Sequence, residues 1–275
     1  MMEKSIVTSG AAQLAVTREG SGQSFVFLHA GVADKRSWRP LVDALAKSME
    51  SFQGVSYDRR GFGESTYTEE RHSRVGDCVA VLDALKLSSS VLVGNSQGGR
   101  IAIDTALLHS SRVRALVLIG TAVSGVPEDD SYLPEIDELG RKMEVAQAAG
   151  DLDELNRLEA HLWLDGPLSP QGRVSGAVRE LFLDMNFRAL SAKEVGDVAD
   201  DIDAWNKLSE IRVPTLVIVG RLDLPNLLER SAQIVKAVPG AEMVTMENVA
   251  HLPAMEAPQQ CAQIIAKFLV RRHIG

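Results

Sequence analysis

One serine stands between glycines in the segment VLVGNSQGG at residues 91–99, directly after an apolar, β-branched run. Gly94 and Gly98 lie two positions on either side of Ser96, and residues 100–108 have the pattern of a helix. A sharp strand-to-helix turn holds the residue at its tip in strained backbone geometry and lifts its side chain away from the sheet. The residues two positions away are then pressed together, which favours glycine. Such a pentapeptide also occurs in ordinary glycine-rich turns, so its meaning depends on the rest of the chain.

Apolar runs typical of buried strands alternate with helical patterns along most of the chain. Two short segments, 6–8 and 14–17, predict antiparallel edge strands before this alternation begins. The later strand runs lie at 25–28, 54–57, 91–93, 115–119, 215–219 and 242–245. The helical patterns between them lie at 38–47, 75–85, 100–108, 227–237 and 258–270. Together these segments predict an α/β protein whose eight-stranded, mostly parallel sheet is flanked by helices on both faces.

The alternation stops between residues 122 and 205, a stretch without strand-like runs. Helical periodicity covers residues 136–149, 152–163 and 174–187, and a fourth helix is expected at 193–200. The strand pattern then resumes. The simplest interpretation is one α/β core built from residues 1–121 and 206–275, interrupted by a helical insertion at 122–205.

The composition limits the classes of partner. The chain has 275 residues, a formal net charge of −8 and no basic cluster, so neither nucleic acid nor an anionic membrane is expected to bind. No stretch approaches the roughly 20 apolar residues that span a bilayer, and the first residues lack the apolar core of a secretory signal. Cys78 and Cys261 lack metal-ligand spacing and are predicted to be packing residues. We therefore expect a cytoplasmic monomer or homodimer whose partner is a small molecule.

Three polar residues follow predicted strands in the order serine, aspartate, histidine. Ser96 follows the strand at 91–93, Asp223 follows that at 215–219, and His251 follows that at 242–245. Ligands of open α/β sheets bind at the carboxyl ends of the strands, where these residues would meet. A serine hydroxyl needs a neutral imidazole to take its proton, and the imidazole needs a carboxylate to fix its tautomer. Asp223 also fits an ordinary turn, but the chain order favours a catalytic triad.

Two backbone N–H groups are expected to form an oxyanion hole. Gln97 follows the serine at a helix N-terminus, and Gly31 lies in the loop after the strand at 25–28. His29 is interpreted as a structural residue that orders this loop through hydrogen bonds. The segment DRRGFGES at 58–65 is interpreted as scaffolding near the site. The remaining histidines are predicted to be solvated or packing residues: His72, His109, His161 and His273.

Five segments resemble the α/β-hydrolase superfamily in order and spacing, and the resemblance covers nearly the whole chain. They are FLHAGVADKRSW, YDRRGFGES, GNSQGG, VPTLVIVGRLDLP and AHLPAMEAPQ. The resemblance implies an α/β-hydrolase fold and a serine hydrolase with Ser96 as nucleophile, His251 as base and Asp223 as orienting acid. It also implies that the insertion at 122–205 is a cap over the substrate pocket. Ala30 departs from the glycine that usually follows the histidine in this family.

Comparison within the superfamily narrows the expected activity. Haloalkane dehalogenases and epoxide hydrolases carry aspartate at the position of Ser96. Carbon–carbon hydrolases of ring-cleavage products often share GNSxGG but usually have tryptophan after the histidine, where Leu252 stands here. Cofactor-free peroxidase-like members share the triad. The LDxP turn and the short helical insertion look closer to small esterases and 3-oxoadipate enol-lactonase-like proteins.

The leading hypothesis is a serine hydrolase that cleaves carboxylic esters, lactones included, through an acyl-enzyme on Ser96, with neither metal nor cofactor. Two alternatives stay open: a carbon–carbon bond hydrolase, and a small-molecule receptor on the same fold with little turnover. The side chains expected to contact substrate are Val32, Trp163, Leu224 and Leu252.

Overall fold

An eight-stranded sheet runs through the computed structural model, which describes residues 2–127 and 133–274. The strands are β1 Glu3–Ser9, β2 Ala12–Ser21, β3 Ser24–Leu28, β4 Phe52–Tyr57, β5 Ser90–Asn95, β6 Val113–Ile119, β7 Thr215–Gly220 and β8 Glu242–Met246. Their order is β1-β2-β4-β3-β5-β6-β7-β8. All pairs from β4 to β8 are parallel, while β1 and β2 are antiparallel, so the predicted α/β-hydrolase fold is confirmed. The expectation of two edge strands is wrong for β2, which lies between β1 and β4.

Helices cover both faces of the sheet. In chain order, the helices of the described residues are α1 Arg39–Ser48, α2 Arg74–Ala84, α3 Gln97–Leu108, α4 Pro134–Ala149, α5 Leu152–Glu159, α6 Ala177–Leu190, α7 Pro225–Ala237, α8 Pro253–Glu256 and α9 Pro258–Arg271. All five residues of β3 are buried. Because successive strand residues point to opposite faces of the sheet, β3 contributes side chains to the core on each face. Phe25 and Phe27 pack with α1 and α9, whereas Val26 and Leu28 pack with α2 and α3. This double coverage explains why the central strands are continuous apolar runs.

The helices α4, α5 and α6 lie in the connection between β6 and β7, where the helical insertion was expected. The helix expected at 152–163 is α-helical only to Glu159, and a π-helical turn continues it over Ala160–Asp165. The last helix expected there, at 193–200, is wrong. Those residues are irregular: their backbone forms hydrogen bonds with Glu70 and His72, with a parallel bridge from Val198 to His72, and Gly196 has a φ of 88°. Parts of the expected core and insertion lie outside the described residues: 1, 128–132 and 275.

The cysteines and the helix lengths match the expectations drawn from the sequence. Cys78 and Cys261 are free and buried in the two cores, as predicted for packing residues. Within residues 2–127 and 133–274, no helix combines the length and apolarity needed to cross a membrane. The same ranges contain no cluster of three or more histidine, cysteine or carboxylate side chains that could hold a metal ion.

Gly98 and Gly140 form a matched pair for testing the packing of α3. A Cβ atom on Gly98 would lie 1.9 Å from the carbonyl oxygen of Leu28, whereas one on Gly140 in α4 would meet nothing within 4 Å. We expect Gly98→Ala to lower the free energy of unfolding by at least about 1–3 kcal/mol, because backbone atoms cannot yield to the methyl group. Gly140→Ala should raise it by about 0.5–1 kcal/mol, since alanine is the better helix former. Urea denaturation measures both, and equal effects would contradict the close approach.

Candidate active site

Ser96 occupies a strained turn between β5 and α3. Its φ of 54° and ψ of −117° are unusual for a residue other than glycine, and its N–H donates to the carbonyl of Ile119 at 2.9 Å. A Cβ atom on Gly94 would lie 2.4 Å from the carbonyl oxygen of Gly98, so the flanking glycines are required by close backbone contact. The structure therefore has the strand–turn–helix context that the sequence pattern needs.

The loops after β7 and β8 bring Asp223 and His251 together. His251 Nδ1 lies 2.8 Å from Asp223 Oδ2, and both side chains are almost fully buried. The other oxygen of Asp223 accepts from the N–H of Leu224 at 2.8 Å. A Cβ atom on Gly120 would lie 2.9 Å from Asp223 Oδ2, so a larger residue would disturb the pair. The carboxylate favours the tautomer in which Nδ1 carries the proton and Nε2 is free to accept one.

Ser96 and His251 line one cavity of about 430 Å³. Both expected oxyanion residues, Gly31 and Gln97, line the same cavity. Of the side chains expected to contact substrate, three lie there: Val32, Trp163 and Leu224. The fourth, Leu252, is not among the lining residues and lies in an apolar cluster with Phe182 and Met255, against which Val32 and Trp163 pack. The cavity falls in the usual size range of small-molecule sites.

The loop that carries Gly31 is held by two buried side chains. His29 Nδ1 donates to the carbonyl of Ala30 at 2.8 Å, and its Nε2 accepts from the N–H of Arg59 at 3.1 Å. Burial and the charge of Arg59 lower the pKa of His29 well below its usual range, which keeps the imidazole neutral. Arg59 also donates to the carbonyl of Ala30 at 3.0 Å and to Gln97 Oε1 at 3.0 Å. Sequence reasoning missed this role, because it treated residues 58–65 only as scaffolding.

The loop that carries His251 is held by Glu256 in α8. The carboxylate of Glu256 accepts from the N–H groups of Ala250 and Leu252, on either side of the histidine. Burial raises the pKa of Glu256, and Arg173 from the helical insertion pairs with it. Arg173 also donates to the carbonyl of Asn248 at 3.1 Å in the same loop. No feature of the sequence marked Arg173, since its partners lie far away along the chain.

The π-helical turn of the insertion contacts His251 directly. The ring of Trp163 lies 4.6 Å from the imidazole, centre to centre, at an angle of 45°. The carbonyl of Trp163 accepts from the N–H of His251 at 3.2 Å. A π-helical turn inside an α-helix is rare and frequently marks a functional site. The insertion therefore forms part of the wall around the histidine.

The chain belongs to the alpha/beta hydrolase family, whose sequence profile matches residues 25–264. A 2-hydroxymuconate semialdehyde hydrolase from Pseudomonas sp. (strain CF600) is 30% identical, over 91% of this chain and 88% of its own length. A Bacillus subtilis (strain 168) protein named for 2-succinyl-6-hydroxy-2,4-cyclohexadiene-1-carboxylate synthase activity is 28% identical, over 96% of this chain and 97% of its own. A thermophilic esterase structure from Thermogutta terrifontis shares the fold, with a TM-score of 0.75, 23% identity and 98% coverage of both chains. The family match and the named relatives support the conclusion that this protein is a hydrolase.

The pair Arg173–Glu256 is expected to couple the insertion to the histidine loop energetically. Arg173→Met should lower the free energy of unfolding by about 1–3 kcal/mol, because it leaves a buried carboxylate without its cation. In the double variant with Glu256→Gln, the loss should be smaller than the sum of the two single losses. Urea unfolding of all three variants measures this coupling energy.

A matched control is Arg188→Met on α6, since Arg188 pairs with Asp184 where both side chains are about half exposed. We expect that change to cost less than about 1 kcal/mol. Additive losses at Arg173 and Glu256 would show that the two residues do not stabilise the loop as a pair.

Proposed function

We propose that this protein is a cofactor-independent serine hydrolase that cleaves carboxylic esters, lactones included, of small molecules. The observation that carries the proposal is the strained Ser96, which shares a cavity with His251 while the far side of the imidazole is bonded to Asp223. A nucleophile, a base and an orienting carboxylate are the three groups that acyl transfer to a serine requires. The helical insertion then acts as a cap over the substrate.

In the first half of the reaction, Ser96 Oγ attacks the ester carbonyl and His251 Nε2 takes the hydroxyl proton. Asp223 stabilises the imidazolium that forms. The tetrahedral intermediate collapses, the bond to the alcohol oxygen breaks, and His251 returns the proton to that oxygen. In the second half, His251 takes a proton from water, whose oxygen attacks the acyl carbonyl. The bond from the acyl carbon to Ser96 Oγ then breaks, and His251 returns the proton to Oγ, which releases the acid and free Ser96.

The backbone N–H groups of Gln97 and Gly31 donate hydrogen bonds to the negatively charged oxygen of the tetrahedral intermediate. Gln97 begins α3, where the helix dipole favours an anion. Gly31 N–H belongs to the same peptide group as the carbonyl of Ala30, which accepts hydrogen bonds from His29 and from the guanidinium of Arg59. Hydrogen bonds to a carbonyl polarise its peptide, so Arg59 strengthens the Gly31 donor as a positioning residue.

Carbon–carbon bond hydrolysis is the second candidate. The relative named 2-hydroxymuconate semialdehyde hydrolase favours it, being 30% identical over most of both chains. Leu252 disfavours it, because it stands where carbon–carbon hydrolases usually have tryptophan. The remaining alternative, a receptor with little turnover, uses the same cavity and differs only in rate.

Ser96→Ala tests the proposal on 4-nitrophenyl butanoate. We expect kcat to fall at least about 10³-fold with the thermal unfolding temperature nearly unchanged, since the variant loses the nucleophile and little packing. Ser209→Ala, an exposed serine far along the chain, should retain full activity.

A ring-cleavage product, 2-hydroxymuconate semialdehyde, is offered beside the ester. A higher kcat/KM for that compound would replace ester cleavage with carbon–carbon cleavage. Tight ligand binding with no turnover of either compound would favour the receptor, and full activity of Ser96→Ala would refute the nucleophile.

A further inference from the structure

One carboxyl group in the cavity has no part in the reaction proposed above. Glu159, the last residue of α5, lines the cavity that holds Ser96 and His251. Burial raises the pKa of Glu159, and the amide of Asn186 donates to its Oε2 at 2.5 Å. Its other oxygen, Oε1, accepts no hydrogen bond from residues 2–127 or 133–274. Glu159 is partly exposed in this cavity, so its carboxyl is accessible to a donor group of a bound molecule.

Two asparagines form a hydrogen-bonded chain that determines how the carboxylate of Glu159 is bonded. Asn156 Nδ2 donates to the carbonyl of Leu183 at 2.9 Å, which turns Asn156 Oδ1 toward Asn186. Asn186 Nδ2 then donates to Asn156 Oδ1 at 3.0 Å as well as to Glu159. Both asparagines are buried between α5 and α6. This ordered chain of amides ends in a carboxyl at the cavity wall, and it allows only an acceptor at Glu159 Oε2.

The position of Glu159 relative to the reacting groups follows from helix geometry. Glu159 precedes Trp163 by four residues, so the two lie on one face with Cβ atoms roughly 5–6 Å apart. The Trp163 ring lies 4.6 Å from the His251 imidazole. Glu159, Trp163 and His251 all line the cavity, and the α-helix becomes π-helical directly after Glu159.

We propose that Glu159 is a specificity-determining residue that accepts a hydrogen bond from an O–H or N–H group of the substrate, remote from the bond that is cleaved. The substrate class is therefore an ester or lactone that carries a hydroxyl or an ammonium group. This inference rests on the proposed function of the same cavity. A site built to bind such a donor discriminates against the analogue that lacks it, because the bound analogue covers the acceptor and leaves it unpaired.

The variant Glu159→Gln tests whether Glu159 accepts a hydrogen bond from the substrate. Asn186 needs an acceptor, so the glutamine oxygen takes the place of Oε2 and its NH₂ group faces the cavity where Oε1 was. The variant keeps the shape of the side chain but replaces an acceptor with a donor. We expect it to reverse the preference between substrates that carry a donor and those that carry an acceptor.

The experiment compares esters with one alkyl chain ended by hydroxyl, ammonium, methoxy or methyl. The chain is placed on the acyl half of a 4-nitrophenyl ester, or on the alcohol half of a butanoate. Wild-type enzyme should prefer hydroxyl or ammonium over methoxy by at least about 10-fold in kcat/KM in one of these series, and Glu159→Gln should prefer methoxy. The better of the hydroxyl and ammonium chains identifies the donor. Glu144→Gln, an exposed glutamate on α4, should behave as wild type.

Several outcomes separate this inference from the proposed function. The same order of substrates in wild type and Glu159→Gln, with both folded by thermal unfolding, would overturn the role of Glu159 and leave ester cleavage intact. If wild type cleaves none of the esters, the proposed function fails. Calorimetric binding of the same esters to Ser96→Ala and Ser96→Ala/Glu159→Gln then decides the inference alone. A reversed order of affinities supports it, and an unchanged order refutes it.

Discussion

The close approach of α3 to β3 is the contact on which the candidate site depends. Gly98 lies against the carbonyl of Leu28, with no room for a side chain, and this contact holds Ser96 in its strained conformation. The same contact brings the N-terminus of α3 beside the loop after β3. The proposed nucleophile and both proposed oxyanion donors, Gln97 and Gly31, therefore come from one backbone arrangement, and the parallel sheet adds Asp223 and His251 at the ends of β7 and β8.

The helical insertion contributes to the site through three separate side chains. Trp163 lies against the imidazole of His251, Arg173 pairs with the glutamate that holds the histidine loop, and Glu159 presents a carboxyl to the cavity. These contacts join the insertion to the base of the proposed triad as well as to the substrate. On this account, the core supplies the chemistry and the insertion supplies the selectivity.

Residues whose roles follow from local pattern were predictable from the sequence. Local backbone structure determines three of the predicted features: the glycines around Ser96, the apolar strand runs, and the strand ends at Asp223 and His251. The order of the strands in the sheet then brings these features together. Arg59, Arg173 and Glu159 were missed because their partners lie in other elements. Residues 193–200 look helical by composition, yet the pairing of His72 with that segment and the positive φ of Gly196 are incompatible with a helix there. Tertiary contacts there outweigh local propensity.

Covalent labelling with a fluorophosphonate tests whether Ser96 is a nucleophile activated by His251. The reagent phosphonylates an activated serine and is not hydrolysed readily, so peptide mass mapping locates the adduct. We expect one adduct per chain, on the peptide containing Ser96, with esterase activity lost in proportion to labelling and labelling abolished in Ser96→Ala. An adduct on another residue, or full activity after complete labelling of Ser96, would contradict it.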